Sequence, residues 1–221
     1  MTTTLITGAN KGLGYETARQ LVAAGHTVYI GARNPDRGRE TATQLGARFV
    51  QVDVTDDASV AAAADAIGAD GGLDVLINNA GIEERTDTGG FVAAATVTAD
   101  SVRKQFDTNV FGVIRVIHTF LPLLERSAVP VVVNISSGLS LTRDLVNPAS
   151  PSHFYPGLAY PASKAALSML TVQYAKALPH IRINAVDPGF TKTDLNHNTG
   201  TQTVEQGASL NFSRNLACGG V

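Results

Sequence analysis

The order of elements predicts an α/β fold: a single doubly wound domain over residues 1–221, built on a parallel sheet. Three observations carry that reading. Short runs of strand character alternate with helical patterns four times in the first 81 residues, with no linker or repeat between them. A glycine-rich turn, Gly8-Ala9-Asn10-Lys11-Gly12-Leu13-Gly14, joins the first strand to the first helix. Val129-Pro130-Val131-Val132-Val133-Asn134-Ile135 is a nearly continuous apolar run, as a strand covered by helices on both faces requires.

Composition sets the outer limits. Apolar residues make up 44% and charged residues 16% of the 221, which is globular rather than disordered and ample for a core. A net charge of −2 without a basic stripe excludes nucleic acid as the main partner. No apolar run approaches the ~18 residues of a membrane span. No leader is visible before the first strand either, so a cytoplasmic protein without a membrane partner is expected. The single cysteine, Cys218, leaves no internal disulfide and no cysteine-based zinc site. Five scattered histidines have no metal spacing, and no metal is assigned.

In chain order, residues 3 to 7 read as the first strand, and the glycine turn leads into a helix closed by Gly25. Strand, glycine turn and helix let backbone N–H groups and a helix N-terminus meet a pyrophosphate. Gly8 makes the tight turn, Gly12 admits the ligand to the backbone, and Gly14 lets helix pack on strand. The second strand, Thr27 to Gly31, ends in Ala32-Arg33 and completes a βαβ unit. An NAD site favours an acidic residue at that strand end. Here Arg33 stands there with Lys11 nearby, and two cations suit a 2′-phosphate, so NADPH/NADP+ is read over NAD; the alternative is a pair of solvated surface charges.

Pro35 to Leu45 carries helix signals, and Arg48 to Val52 reads as the third strand. Asp53-Val54 follows, placed either to meet an adenine amino group or simply to begin the next loop. An alanine-rich helix from Asp56 to about Ile67 precedes the fourth strand, Leu73 to Asn78, and the turn Asn79-Ala80-Gly81. Residues 82–97 have no clean period and read as a loop bordering a ligand. A long helical pattern from Asp100 to Glu125 is interrupted near Thr108-Asn109, where an asparagine sits among apolar neighbours. The fifth strand ends in Ser136-Ser137-Gly138, either hydroxyls facing the crevice or plain turn chemistry. A helix to about Leu178 then carries Tyr160 and Lys164, which at i and i+4 share one face. A cation beside a phenol favours the phenolate, which would lower an ordinary value near ~10. The sixth strand, Ile181 to Val186, leads to Asp187-Pro188-Gly189-Phe190-Thr191. Thr203-x-x-Gln206 fits a capping box, and Val204, Ala208, Phe212 and Leu216 recur every four residues in a last helix.

Taken together, Thr7-Gly8-x-x-x-Gly12-x-Gly14, Asp53-Val54, Asn78-Asn79-Ala80-Gly81, Asn109, Ser137, Tyr160-x-x-x-Lys164 and Pro188-Gly189 resemble the short-chain dehydrogenase/reductase family from Thr4 to about Gly207. Gly8-Ala9-Asn10-Lys11-Gly12 with Gly31-Ala32-Arg33 is most similar to its NADPH-dependent carbonyl-reductase branch. The resemblance implies a Rossmann-type fold and four catalytic residues. Tyr160 would protonate the carbonyl oxygen. Lys164 would hold the nicotinamide ribose and lower the Tyr160 pKa. Ser137 would polarise the substrate oxygen, and Asn109 would anchor a water relaying protons to Lys164. Gly8, Asn10, Lys11, Gly12, Leu13, Gly14, Arg33, Asp53, Val54, Asn79, Ala80, Gly81, Tyr160, Lys164, Pro188, Gly189 and Thr191 would contact the cofactor, with Thr191 on the carboxamide.

The chain departs from the family pattern twice. Ser137 and Tyr160 stand 23 residues apart, well beyond the common spacing. The extra residues imply a stiff, proline-bearing cover over the substrate mouth, the alternative being a disordered insert. Related carbonyl reductases with long inserts here are monomers, which leaves monomer and homo-oligomer both open. The family's usual seventh strand is also missing, so a sheet of six strands is expected. The implied activity is hydride transfer from NADPH to a ketone or aldehyde. NADP-dependent alcohol oxidation and a non-catalytic NADP(H)-binding sensor are the alternatives. The partner is a small carbonyl or alcohol substrate, met by the loops 82–97, 139–158 and 191–202.

Overall fold

Six parallel strands form where the apolar runs predict them: β1 (Thr3–Thr7), β2 (Thr27–Ala32), β3 (Arg48–Gln51), β4 (Val75–Asn78), β5 (Val131–Ile135) and β6 (Arg182–Val186). This computed structural model describes residues 1–86 and 89–213, and only the backbone course of 210–213. The strand order is β3-β2-β1-β4-β5-β6, every neighbouring pair being parallel. The chain moves outward from β1 to β3 and then returns past β1 to β4. Strand order therefore reverses between β1 and β4, which opens a crevice beyond their carboxyl ends.

Several strand ends differ from expectation by one or two residues, each for a local reason. β4 starts at Val75 because Asp74 is held in a turn, accepting from the Thr3 amide and the Ser127 hydroxyl. β5 starts at Val131 because Val129 is exposed and Pro130 has no N–H for the ladder. β3 stops at Gln51, although the Val52 amide still donates to the Ala32 carbonyl of β2 at 3.1 Å.

The helices are α1 (Gly12–Ala23), α2 (Pro35–Leu45), α3 (Asp57–Ala69), α4 (Ala99–Phe106), α5 (Gly112–Leu124), α6 (Thr142–Leu145), α7 (Ala159–Ala177) and α8 (Val204–Ser213). Their ends follow capping chemistry. Asn34 and Asp56 accept from first-turn amides of α2 and α3. Gly25, at φ +87°, lets the amides of Gly25 and His26 close the end of α1 on Val22 and Leu21 carbonyls. The expected break in the long helical pattern is a π turn, Asp107–Phe111, between α4 and α5. The Thr203/Gln206 capping box forms with both bonds, at 3.0 and 3.4 Å, and α8 packs on α1. Leu216, in the periodic pattern of that last helix, lies outside the described residues.

Alternation along each strand feeds two cores. Leu5, Leu76 and Val132 point to the side of α3, α5 and α7, around Phe120. Ile6, Ile77 and Val133 point to the side of α1 and α2. Among the described residues no helix is long and apolar enough to cross a membrane. The insert expected as a loop cover is a chain of short helical turns: Gly138–Ser140, α6 and Pro151–Phe154, the last opened by its proline.

Candidate active site

The glycine turn is a backbone cradle. Gly8 and Gly12 lie at φ +66° and +56°, which glycine adopts without strain. A Cβ on Gly8 would sit 2.9 Å from Ala80 Cα, and one on Gly14 only 2.5 Å from Asn79 Nδ2 and 2.8 Å from the Gly8 carbonyl. Asn79 closes the cradle from β4, donating to the Thr7 and Gly8 carbonyls at 2.9 and 3.1 Å. The Asn79 and Ala80 amides both donate to the Thr7 hydroxyl. Asn79 and Ala80, expected against a cofactor, thus hold the turn in shape. Gly14→Ala would gain ~1 kcal/mol of helix propensity. The clash with Asn79 and the turn outweighs it, so a net loss of about 1–3 kcal/mol is expected in denaturant titrations.

The residues fit a dinucleotide. The first turn of α1 has no side-chain cap and no acidic residue, so its N–H groups suit a phosphate. Lys11 pairs with Asp194 at 3.0 Å across the mouth of the crevice, both half exposed, whereas Arg33 has no ion-pair partner among the described residues. Asn10 offers its carbonyl to the Thr41 hydroxyl, and Leu13 packs on the α1-side core. Asp53 turns one carboxylate oxygen to the Thr55 hydroxyl and amide, at 2.7 and 2.9 Å. Burial pushes its carboxyl up, but the Thr55 bonds and the Arg33 and Arg115 charges together hold it below the usual range. Val54 is buried against Gly112.

The hydroxyl and amine groups gather at the start of α7. Ser137 accepts from the Leu139 amide at 3.2 Å, and its hydroxyl is near enough to the Tyr160 phenol to favour ionisation there. Ser136 turns the other way, sharing a bond with Ser168 at 2.7 Å inside the protein, so of the two serines it is Ser137 that meets the phenol. Lys164 is 5% exposed and donates to the Ile135 carbonyl at 2.6 Å, with Nζ 5.7 Å from the Tyr160 ring centre. Burial lowers its pKa from 10.5 to about 8. Asn109, on the π turn, donates to the Ile82 carbonyl and Ser163 hydroxyl and accepts from the Ile82 amide. Both of its N–H bonds are therefore used. A Cβ on Gly81 would come 3.4 Å from Asn109 Oδ1 and 3.8 Å from Lys164 Nζ, so the three residues are packed together.

One expectation is corrected. Tyr160 was expected to have a lowered pKa beside Lys164, but its phenol is held well above the ordinary tyrosine value. Burial is the main cause, followed by the Glu83 and Asp187 charges; the Ser137 bond pulls weakly the other way. Lys164 directs its N–H to the backbone of β5 instead of to the phenol.

Beyond β6, Gly189 at φ +72° forms the turn, with its amide on Asp187 and its Cα against Gln202. Gln202 also bonds the Pro188 carbonyl and the Thr191 hydroxyl. Thr191 is buried, its hydroxyl donating within the loop to the Pro188 carbonyl at 3.0 Å. Sequence reasoning missed Glu83, Arg85, Tyr155 and Asp187, four ionisable residues around Tyr160. Their one local signal was two unlike charges, Glu83 and Arg85, placed just after a strand's carboxyl end.

A family model described as short chain dehydrogenase matches residues 2–204. The chain is 32% identical to (+)-neomenthol dehydrogenase of Arabidopsis thaliana, over 93% of this chain and 88% of that protein. It is 35% identical to short-chain dehydrogenase/reductase 1 of Saponaria officinalis, over 93% and 86%. Among solved structures, the NADPH-bound carbonyl reductase from chicken fatty liver superposes with a TM-score of 0.84 at 29% identity, covering 95% of this chain and 88% of that one. With its six-stranded parallel sheet, its glycine turn and these relatives along nearly its whole length, the chain belongs to the short-chain dehydrogenase/reductase family, in its carbonyl-reductase-like branch.

Proposed function

We propose that the chain reduces a ketone or aldehyde with NADPH, Tyr160 giving the proton. The observation that carries this reading is the cluster at the start of α7: a phenol, a serine hydroxyl near it, and a buried lysine one turn along. Bound along the glycine turn and toward Lys164, NADPH supplies the hydride. Ser137 donates to the substrate oxygen and polarises the carbonyl, a role of the oxyanion-hole kind. Tyr160 releases its proton to that oxygen, and the phenolate left behind accepts from the new hydroxyl of the product. Lys164 holds the ribose, and its depressed pKa lets it pass a proton near neutral pH. Asn109 props Ile82 and Ser163, which keeps Lys164 and Gly81 in register.

The fit to NADPH is supported by Arg33 at the end of β2 and by relatives that include an NADPH-bound carbonyl reductase. Arg33→Asp is expected to weaken NADPH by about 10–100-fold, the loss of a charge-assisted bond to phosphate. NADH, without that phosphate, is expected to change little. Equal losses for the two cofactors in a fluorescence titration would remove the 2′-phosphate role. The function itself is tested by titrating the protein with both cofactors and following NADPH oxidation against ketones, aldehydes and quinones. Tight NADPH binding with turnover is the expected result, and absence of binding to either cofactor overturns it.

A further inference from the structure

The side of α7 that faces the sheet is polar where a helix on a central parallel strand is expected to be apolar. Lys164, Leu167, Ser168 and Thr171 stand at i, i+3, i+4 and i+7 and so share one face, and only Leu167 among them is a large apolar side chain. The other three bond to successive residues at the end of β5. Lys164 donates to the Ile135 carbonyl at 2.6 Å, Ser168 shares a bond with Ser136 at 2.7 Å, and Thr171 Oγ1 accepts from Asn134 Nδ2 at 2.9 Å. The Thr171 hydroxyl gives its own proton to the Leu167 carbonyl at 2.8 Å. Asn134 is fully buried and extends the line sideways, its Oδ1 accepting from Asn78 Nδ2 of β4 at 2.8 Å. Asn78 and Asn134 are register partners of that strand pair. The next residue along β4 is Asn79, which closes the glycine turn. A line of hydrogen bonds thus runs from the strand that holds the glycine turn, through two buried asparagines, to the helix that carries Tyr160 and Lys164. An apolar seat would hold α7 to the sheet without fixing it along its axis, since burial is non-directional. Hydrogen bonds are short-ranged and directional, so those at 164, 168 and 171 set the helix at one height.

We propose that Thr171 is a positioning residue for carbonyl reduction: bonded through Asn134 and Asn78 to the strand that holds the glycine turn, its hydroxyl fixes α7 along its axis and so sets the height of Tyr160 and Lys164 relative to that turn. The proposal rests on the reading of Tyr160 as the donor. Thr171 is 3% exposed and lies two turns beyond Lys164, about 10 Å along the helix, so it acts through the helix. Reduction brings two donors to one carbonyl. The proton donor is carried by α7, and the hydride donor is bound along the glycine turn. A misplacement of about 1 Å between such groups costs ~10²-fold in rate. Stability alone does not ask for these bonds, because apolar side chains of the same shape on both partners serve a buried contact nearly as well. What apolar packing does not supply is a fixed register between α7 and β5.

The test compares Thr171→Val, which keeps the shape and deletes the hydroxyl, with Thr171→Ser, which keeps the hydroxyl. Thr171→Val is expected to lower kcat for NADPH-dependent reduction by about 10–100-fold. KM and NADPH affinity are expected to stay within about twofold, as for a loss felt in the transition state. Thr171→Ser is expected to retain the wild-type kcat. Ile67→Val, a truncation in the core under α3, controls for lost stability, which urea titrations measure in all three variants; it too is expected to keep its kcat. A merely structural Thr171 would lower the urea midpoint alone, so an unchanged kcat in Thr171→Val overturns the proposal. An equal loss in Thr171→Ser also overturns it, tracing the effect to packing, as does an equal loss in Ile67→Val, tracing it to general loosening. Amide hydrogen exchange of the free, full-length chain reads the same point without turnover. In Thr171→Val the α7 amides are expected to exchange about 10-fold faster relative to the other core helices, and uniform exchange across the core overturns the proposal. A wild-type chain that reduces no carbonyl overturns the reading of the site as a reductase, and the exchange measurement then decides the anchoring of α7 by itself.

Discussion

Tyr160→Phe is expected to lower kcat for carbonyl reduction by about 10²–10⁴-fold, the usual worth of a placed proton donor. The substitution deletes one oxygen and keeps the ring, so the wall formed with Tyr155 stays in place. What disappears is the proton for the new hydroxyl. Substrate oxygen would still meet Ser137, so KM is expected to change much less than kcat, as for an interaction strongest in the transition state. NADPH affinity is expected to stay largely intact, because the glycine cradle and Arg33 lie on β1, α1 and β2. Steady-state NADPH oxidation, with a cofactor titration as control, checks both parts. Turnover comparable to the wild type would remove Tyr160 as donor.

Lys164→Met is expected to change stability in a pH-dependent way, besides abolishing turnover. In the folded chain Lys164 loses its proton near pH 8, against 10.5 for an ordinary lysine. Below about pH 8 folded and unfolded chains both carry the charge, and the folded one bears the full cost of burying it. Between 8 and 10.5 the unfolded chain binds more protons than the folded one, so wild-type stability rises with pH. Methionine carries no such cost at any pH. The stability of the wild type relative to Lys164→Met should therefore improve by about 3 kcal/mol between pH 7 and pH 10.5, at ~1.4 kcal/mol per pKa unit. Only this change with pH is diagnostic, since the variant also strips the Ile135 carbonyl of its donor. Urea midpoints for both proteins at the two pH values measure it, and a constant gap would refute the buried charge.

Much of this protein was legible in the sequence because the relevant information is local. A strand covered on both faces must read as an apolar run, and β5 does. A phenol and an amine at i and i+4 share a helix face whatever surrounds them, and α7 keeps Tyr160 and Lys164 so. The glycine turn, the capping box before α8 and the interruption at Asn109 are likewise properties of a few adjacent residues. These determined the fold class, the strand order's starting unit and the positions of the candidate catalytic groups.

What spacing along the chain did not carry is which side chains meet across it. Ser136 and Ser137 are equivalent as letters; the direction of β5's last residues turns the first into α7 and the second toward Tyr160. Lys11 reads as a free cation until Asp194, 183 residues on, is brought beside it. Tyr155 and Glu83 are 72 residues apart in two segments without a period, and only the packing of the insert on the loop after β4 joins them. A pKa depends on the charges and the water around a group in space. The sequence by itself therefore determined that Tyr160 and Lys164 stand together, and only the tertiary structure decided that burial, Glu83 and Asp187 raise the pKa of the phenol.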